Sequence, residues 1–326
     1  MQYEETGRLI QGLSGLYEIC LDKGTTPLSG GVIFARAKGK FRHEELSPLV
    51  GDRVRVCYDE SAFVSENGAI KPTADGGGAV IAEILARRNA LIRPPMANLD
   101  MLFITFAAAR PAPVTETIDK LISIAEFHGI EPVIVVGKQD LDPDAAERLC
   151  TVYRTAGFSV FAISAENGVG IDALRDFLCK NAAGKTVAFA GASGVGKSTL
   201  LNALFPELGL ETGAISQKIQ RGRHTTRRVT LYPMADVEGA FVADTPGFSM
   251  LDFVRFDFFG RDDLPETMRE FAPYLGCCRY KKCTHTKEEG CAVLEAVRAG
   301  HIAPSRHASF VEMFEALKNK QDWSRK

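Results

Sequence analysis

The order of its nucleotide-type loops constrains this chain more than any other feature. The run Gly191, Ala192, Ser193, Gly194, Val195, Gly196, Lys197, Ser198 and Thr199 has the spacing of a phosphate-binding loop, yet it lies well past the middle of 326 residues. A base-reading segment, Val135-Val136-Gly137-Lys138-Gln139-Asp140, precedes it and is followed by Ser164-Ala165; Asp244-Thr-Pro-Gly247 comes last. In an ordinary GTPase the phosphate loop comes first and the two base loops come last. The rotated order changes which flanking segments are tied directly to the loops that sense a γ-phosphate.

Each loop has a physical reading. Thr186-Val-Ala-Phe-Ala190 is an apolar strand entering the glycine turn, and Ser198 to Leu204 continues as a helix, the context that the G-x-x-x-x-G-K-[ST] pattern requires. Gly194 and Gly196 let backbone N–H groups face the phosphates, and the helix N-terminus adds partial positive charge. Lys197 is placed to reach the β- and γ-phosphates and the Ser198 hydroxyl to ligate Mg²⁺. A second apolar strand, Ala240 to Ala243, delivers Asp244 to its carboxyl end as a further Mg²⁺-side group, and Gly247 offers an N–H to the γ-phosphate.

The base loop is less regular. A carboxylate at Asp140 accepts from both N1–H and the exocyclic amine of guanine, and the Lys138 stem covers a ring face. The usual motif begins with Asn where this chain has Gly137, so one polar support is missing. Ser164 and Ala165, after the strand-like Phe158–Ala162, are expected to offer backbone N–H groups to the guanine oxygen. A P-loop ATPase or kinase with relaxed base choice remains an alternative because of Gly137.

The length leaves room for two or three domains, and 45% hydrophobic residues suffice for their cores. A net charge of −2 implies no whole-molecule attraction to nucleic acid, so any RNA contact is local. The first residues lack a secretory pattern and no apolar run reaches membrane-spanning length, so the chain reads as cytoplasmic. Residues 1–92 show short strands between glycine and charged turns, the pattern of a small closed barrel. In it, Arg36-Ala-Lys38-Gly-Lys40-Phe41-Arg42-His43 sets cations around an aromatic ring suited to RNA stacking, with a solvated turn as the alternative. Lys71 to Gly78 reads as a flexible loop. Residues 93–251 alternate strands and helices, as in a three-layer α/β nucleotide domain with a mainly parallel sheet.

Cys20, Cys57, Cys150 and Cys179 are dispersed in apolar segments and read as buried packing residues. Four others, Cys277, Cys278, Cys283 and Cys291, fall within fifteen residues with His285 among them. Cys278, Cys283, His285 and Cys291 are three thiolates and an imidazole, a donor set suited to a closed, structural Zn²⁺ site; spacing alone leaves Cys277 as a substitute ligand. In the module at 252–326, from Arg279 onward, ten Lys/Arg face six Asp/Glu, a local excess that suits an RNA surface, with a plain solvated helical surface as the alternative.

Taken together, these motifs resemble the circularly permuted GTPases of the RsgA/YjeQ type, small-ribosomal-subunit biogenesis GTPases. The resemblance also takes in Val50-Gly51-Asp52-Arg53-Val54, Arg88-Asn89-Ala-Leu-Ile-Arg93-Pro94 and Gly222-Arg223-His224-Thr225-Thr226. It implies an OB-fold RNA-binding domain, a permuted GTPase domain and a helical zinc-binding C-terminal domain, and it agrees with the ligand spacing of the Cys/His cluster. It implies slow, Mg²⁺-dependent GTP hydrolysis, stimulated by the small ribosomal subunit, by a monomer that binds rRNA. Phe248 stands where Ras-like GTPases carry a water-orienting Gln, so His224 is the candidate catalytic residue, with phosphate or RNA contact as its alternative role. Thr226, with Thr225 as the alternative, is expected to complete the Mg²⁺ shell. An RNA-binding zinc protein whose nucleotide only gates affinity is the alternative from another class.

Overall fold

The computed structural model describes residues 2–39, 41, 46–66, 69–92, 94–208, 229–244 and 259–318. Two compact units are formed: the described residues of Met1–Leu99, Gly184–Ala188 and Thr225–Pro246, and those of Asp100–Ala183, Phe189–His224 and Gly247–Lys326.

The first unit begins with β1 (Gln2–Leu13) and β2 (Leu16–Leu21), joined by a two-residue turn in which Ser14 and Gly15 both have positive φ, the geometry that matches strand twist in tight hairpins. β3 (Val32–Ala37), β4 (Arg53–Asp59), β5 (Phe63–Glu66), β6 (Ala69–Pro72) and β7 (Ala79–Ile84) follow. A closed barrel takes the order β1-β2-β3-β7-β4, with β1 pairing antiparallel to β4 to complete it. Alternation sets its inside: Val54, Val56 and Tyr58 are buried with Leu9, Ile19, Ile33 and Ile81.

Phe41 is 5% exposed and belongs to that core, so its ring is not the exposed stacking platform expected from the sequence; an aromatic between cations is also what a barrel plug looks like. Lys40, Arg42 and His43 lie outside the described residues. Nor is the 71–78 segment simply a loop. Its start belongs to β6, Thr73 N–H donates to the Ala62 carbonyl at 2.9 Å, and Gly77 N–H donates to Asp75 Oδ1 at 3.0 Å.

The Val50–Val54 and Arg88–Pro94 signatures are structural clasps. Asp52 is fully buried and accepts from Leu49 N–H and, at 2.7 and 2.8 Å, from Arg87 Nε and Nη2. Gly51 has φ +94°, and a Cβ there would lie 2.0 Å from the Ala97 carbonyl oxygen, so no other residue fits without moving backbone. β8 (Ala90–Leu91) and β9 (Met96–Ala97) form a short hairpin whose ends are held by Asn89 and Asn98: Asn89 bonds both backbone groups of Leu99, and Asn98 accepts from Arg88 N–H and donates to the Gly51 carbonyl. Arg8, 8% exposed, donates to Thr186 Oγ1 at 2.6 Å and the Gly184 carbonyl at 3.1 Å, which gathers residues 184–188 to the barrel.

A six-stranded sheet has the order β12-β11-β10-β13-β15-β14, from β10 (Met101–Ala107), β11 (Glu131–Gly137), β12 (Ser159–Ala162), β13 (Thr186–Ala190), β14 (Thr230–Pro233) and β15 (Phe241–Asp244). β10–β11–β12 and β13–β15 pair in parallel, and β14 pairs antiparallel to β15. β10 and β13 are buried at every position, as strands covered on both faces must be. Helices α1 (Thr115–Phe127), α2 (Pro143–Thr155), α3 (Ile171–Asn181) and α4 (Lys197–Leu204) connect them. α2 starts on the Asp142 carboxylate, which accepts from Ala145 N–H, with Pro143 at the first helical position.

α5 (Ala292–Arg298) and α6 (Pro304–Lys318) belong to the second unit, with a core of Phe259, Leu264, Met268, Phe271, Val293, Phe310 and Met313 that includes Ile124 of α1. Among the four dispersed cysteines only Cys150 is buried. Cys20 and Cys57 alternate with buried neighbours on the outer side of the barrel strands. Cys179 is exposed, one residue past the buried Leu174 and Leu178 face of α3. No helix among the described residues is long and apolar enough to cross a membrane.

Candidate functional site: a nucleotide cleft and a Cys/His cluster

β11 ends at Gly137 and the chain turns at once: Lys138 is left-handed (φ 54°, ψ 38°) and Gln139–Leu141 form a 3₁₀ turn. The two base loops are stitched together by backbone, with Ile163 N–H donating to the Val136 carbonyl at 2.8 Å and Gln139 N–H to the Ile163 carbonyl at 3.0 Å. Gln139 Nε2 adds a bond to the Ala162 carbonyl at 3.1 Å. Ser164 and Val169 exchange both backbone bonds, closing the 164–169 loop that carries Ala165.

The phosphate loop packs closely on β10. A Cβ on Gly191 would lie 2.2 Å from the Thr105 carbonyl oxygen, so the loop can run there only as glycine. Ala192, Ser193 and Gly194 are exposed, Val195 is buried at 3%, and Gly196 (φ +96°) turns into α4. Lys197 Nζ donates to the Gly191 carbonyl at 3.3 Å, held across its own loop. Ser198 and Thr199 begin the helix, half-exposed. Lys138 Nζ donates at 2.7 Å to both the Gly194 and Arg110 carbonyls, so a base-loop lysine braces the phosphate loop.

These loops line one cleft of about 250 Å³, bounded by Thr105, Gly137, Lys138, Asp140, Ile163, Ser164, Ala165, Val195, Gly196 and Thr199 among others. The fold brings together both base loops and one flank of the phosphate loop. Thr105 and Glu166 also line the cleft and were not singled out from the sequence. The only signal for Thr105 was a lone hydroxyl within the apolar run Met101–Ala107. Asp244 ends β15 opposite Thr230 in register, as expected of a carboxyl-end group. His224, Thr225, Thr226, Gly247 and Phe248 lie outside the described residues, as does the 251–258 segment that leads toward the C-terminal module.

Cys278, Cys283, His285 and Cys291 bring one donor atom each to within 4.8 Å of one another. Cys278 Sγ lies 3.8 Å from Cys291 Sγ, and His285 Nδ1 lies 3.5 Å from each of those sulfurs. Zinc bonds of about 2.3 Å to sulfur and about 2.0–2.1 Å to nitrogen give tetrahedral edges of about 3.8 and 3.5 Å. The donor set and its spacing therefore fit a tetrahedral Zn²⁺. Burial and neighbouring thiols push Cys283 up to about 12, and burial lowers the His285 pKa.

The knuckle has its own support. Ala292 N–H donates to Cys278 Sγ at 3.4 Å, and His307 Nε2 donates to the His285 carbonyl at 2.8 Å. Glu288 accepts from the Thr284 hydroxyl and from the Thr284, Thr286 and Lys287 N–H groups. Burial opposes its charge, but these bonds outweigh burial and hold its pKa at about 2. Cys277 is exposed, with its sulfur beside the Pro273 and Leu275 carbonyls, and is not one of the four.

A parallel sheet with a glycine-rich phosphate loop at its centre and paired base loops on one side, in rotated order, defines a circularly permuted P-loop GTPase carried with a β-barrel. The family model for the RsgA GTPase matches residues 84–254, and that for the RsgA N-terminal domain matches residues 6–63. A protein named small ribosomal subunit biogenesis GTPase RsgA, from Agathobacter rectalis, is 35% identical over 324 residues, covering 98% of this chain and 100% of the relative. The crystal structure of YjeQ from Thermotoga maritima superposes with a TM-score of 0.77 at 30% identity, covering 98% and 100% of the two chains. YloQ, described as a circularly permuted GTPase, gives 0.73 at 31%, covering 98% and 96%. The chain belongs to the RsgA family of GTPases.

Proposed function

We propose that this chain is a Mg²⁺-dependent GTP hydrolase that works as a monomer in the cytoplasm, and that GTP and GDP switch its hold on the small ribosomal subunit during late assembly. The observation that carries the nucleotide half of this reading is the single cleft shared by Gly137–Asp140, Ser164–Ala165 and the phosphate loop. Its ribosomal half rests on the name of the relatives that match over nearly the whole chain.

In this reading Asp140 selects guanine, the Lys138 stem covers the ring, Gln139 holds the two base loops together, and Ala165 presents its N–H to the guanine oxygen beside Ser164, whose own N–H is held by the Val169 carbonyl. The backbone of Gly191–Gly196 cradles the phosphates, and Lys197 exchanges its Gly191 carbonyl for phosphate oxygens. Ser198, Thr226 and Asp244 would hold Mg²⁺, which would neutralise charge on the β- and γ-phosphates. Gly247 meets the γ-phosphate and His224 orients the attacking water, since Phe248 offers no hydrogen bond. Zn²⁺ on Cys278, Cys283, His285 and Cys291 is structural: four protein ligands leave no open position for chemistry.

Residues 1–92 and 252–326 are the proposed rRNA-binding domains on either side of a GTPase domain at 93–251. Single-turnover GTP hydrolysis with and without purified small subunits tests the proposal. Stimulation by the subunit that is lost in His224→Ala, at unchanged GTP affinity, is the expected result. Equal rates with and without subunits refute subunit-stimulated hydrolysis.

A further inference from the structure

Two hydroxyls lining the nucleotide cleft are buried with no hydrogen-bond partner among the described residues: Thr105 Oγ1 and Ser164 Oγ, on residues 2% and 1% exposed. Ser164 belongs to a base loop already assigned. Thr105 sits in the middle of β10, where every residue is buried and Val would fill the same volume without a polar atom. A buried hydroxyl without a partner destabilises a fold, and such groups in native proteins call for an explanation.

The register supplies one. β10 and β11 run parallel with Thr105 opposite Val135 and Ala107 opposite Gly137, so these four residues share one face of the sheet. That face meets the phosphate loop: a Cβ on Gly137 would lie 3.3 Å from the Val195 carbonyl oxygen, and Val195 also lines the cleft. An Asn at position 137, as in the usual motif, would present its carboxamide to this face. Here position 137 contributes no side chain, and β10 contributes a hydroxyl two residues along the same face.

Building on the guanine-nucleotide reading of the cleft, we infer that Thr105 is a nucleotide-binding residue whose hydroxyl is satisfied only when guanine nucleotide is bound, directly or through a water that the nucleotide encloses. It supplies the cleft floor with the polar support that Gly137 lacks. In the free chain the hydroxyl is a liability, and in the bound chain it is a contact. Thr105→Val therefore acts with opposite signs on the two states, which a purely structural hydroxyl does not do.

The test uses the full-length chain, Thr105→Val and Thr105→Ser, with a fluorescent GDP titration, GDP and ADP competition, and thermal melts with and without GDP. The unmodified chain should prefer GDP to ADP. Thr105→Val should bind GDP ~2- to 12-fold more weakly, the equivalent of one hydrogen bond. It should melt at the same or a higher temperature than the unmodified chain when free, and gain less from saturating GDP. Thr105→Ser, which keeps the hydroxyl, should bind GDP within about twofold of the unmodified chain, whereas Val and Ser variants equally weak would assign the effect to shape and reject the inference. Unchanged GDP affinity in Thr105→Val rejects it, as does a lower melting temperature or failure to fold in that variant, because either would mean the hydroxyl has a partner within the protein. No preference for GDP in the unmodified chain is a distinct outcome: it removes the guanine reading itself, and the inference with it.

Discussion

Arg306 Nη1 donates to Asp119 Oδ1 at 2.6 Å with both side chains 1% exposed, joining α6 to α1. The same guanidinium donates to both oxygens of Glu270, at 2.7 and 3.2 Å, and Tyr153 of α2 donates to Asp119 at 3.1 Å. Burial works against the charge of Arg306, but Asp119 and Glu270 outweigh it and raise its pKa. Nearby, Arg269 stacks 4.7 Å over Phe158 and bridges Glu126 and Glu131. Within the second unit, the Cys/His module is thus fastened to the helices that flank the base-loop strands.

Removing the cation should be costly. Arg306→Met leaves Asp119 and Glu270 buried without it, and breaking a buried pair in this way costs about 3–5 kcal/mol. Urea unfolding followed by tryptophan-independent far-UV signal should show a clear drop in midpoint at an unchanged slope. A midpoint within error of the unmodified chain would mean that the α1–α6 contact is held by its apolar core alone.

In the proposed reading base selection rests on Asp140. Asp140→Asn should shift preference from GTP toward XTP, because xanthine presents the reversed hydrogen-bond edge. Gly137→Asn is less simple than the motif suggests. Its Cβ would come within 3.3 Å of the Val195 carbonyl and 3.5 Å of the Phe106 carbonyl, so the backbone must yield by a few tenths of an ångström before the carboxamide helps. A gain in GTP affinity of no more than about tenfold, one hydrogen bond, is expected from competition titration. Equal affinity of the unmodified chain for ATP and GTP would defeat the guanine assignment.

Much of this was legible beforehand because the requirements are local. A glycine-rich turn between a buried strand and a helix, an aspartate at a strand end, and four metal donors within a short knuckle each announce themselves over a few residues. What escaped the sequence depends on pairing at long range or on which side of an element faces in. Asp119 and Arg306 meet across 187 positions. Phe41 sits in a run of cations yet points into the barrel, and Cys57 sits among apolar residues yet falls on the alternate, outward side of β4. Thr105 gained meaning only once the β10–β11 register set it on the face of Gly137.

The Cys/His cluster yields a comparison of four variants. Cys283→Ser or His285→Ala should lose co-purifying zinc while keeping GDP affinity within a few-fold. Cys277→Ser should retain one Zn²⁺ per chain, since its thiol is exposed and faces backbone carbonyls. Glu288→Ala should weaken zinc ~10- to 100-fold, because the loop between Cys283 and Cys291 loses the carboxylate that organises it, as with other supports of metal ligands. Chelator competition reads all four variants. Full zinc retention in both Cys283→Ser and His285→Ala would rule out the ligand set.

The proposed nucleotide switch makes the strongest demand on the whole chain. Only a difference in affinity between nucleotide states lets GTP drive a binding equilibrium. Small subunits should therefore sediment with the protein in a non-hydrolysable GTP analogue and release it in GDP. Net charge is −2, so the contact must come from local cations such as Lys38, Lys40 and Arg42 in the barrel domain and the exposed run Arg279-Tyr280-Lys281-Lys282 within the metal knuckle. Tyr280 is half-exposed with the Arg279 guanidinium 5.6 Å over its ring, which suits stacking on an unpaired base. Neutralising Lys38, Lys40 and Arg42 together should weaken subunit binding and flatten its salt dependence, because fewer phosphate contacts release fewer counterions. Basal hydrolysis should survive that change, while stimulation by the subunit should fall. Binding that is identical in the two nucleotide states would leave a GTP hydrolase without a switch.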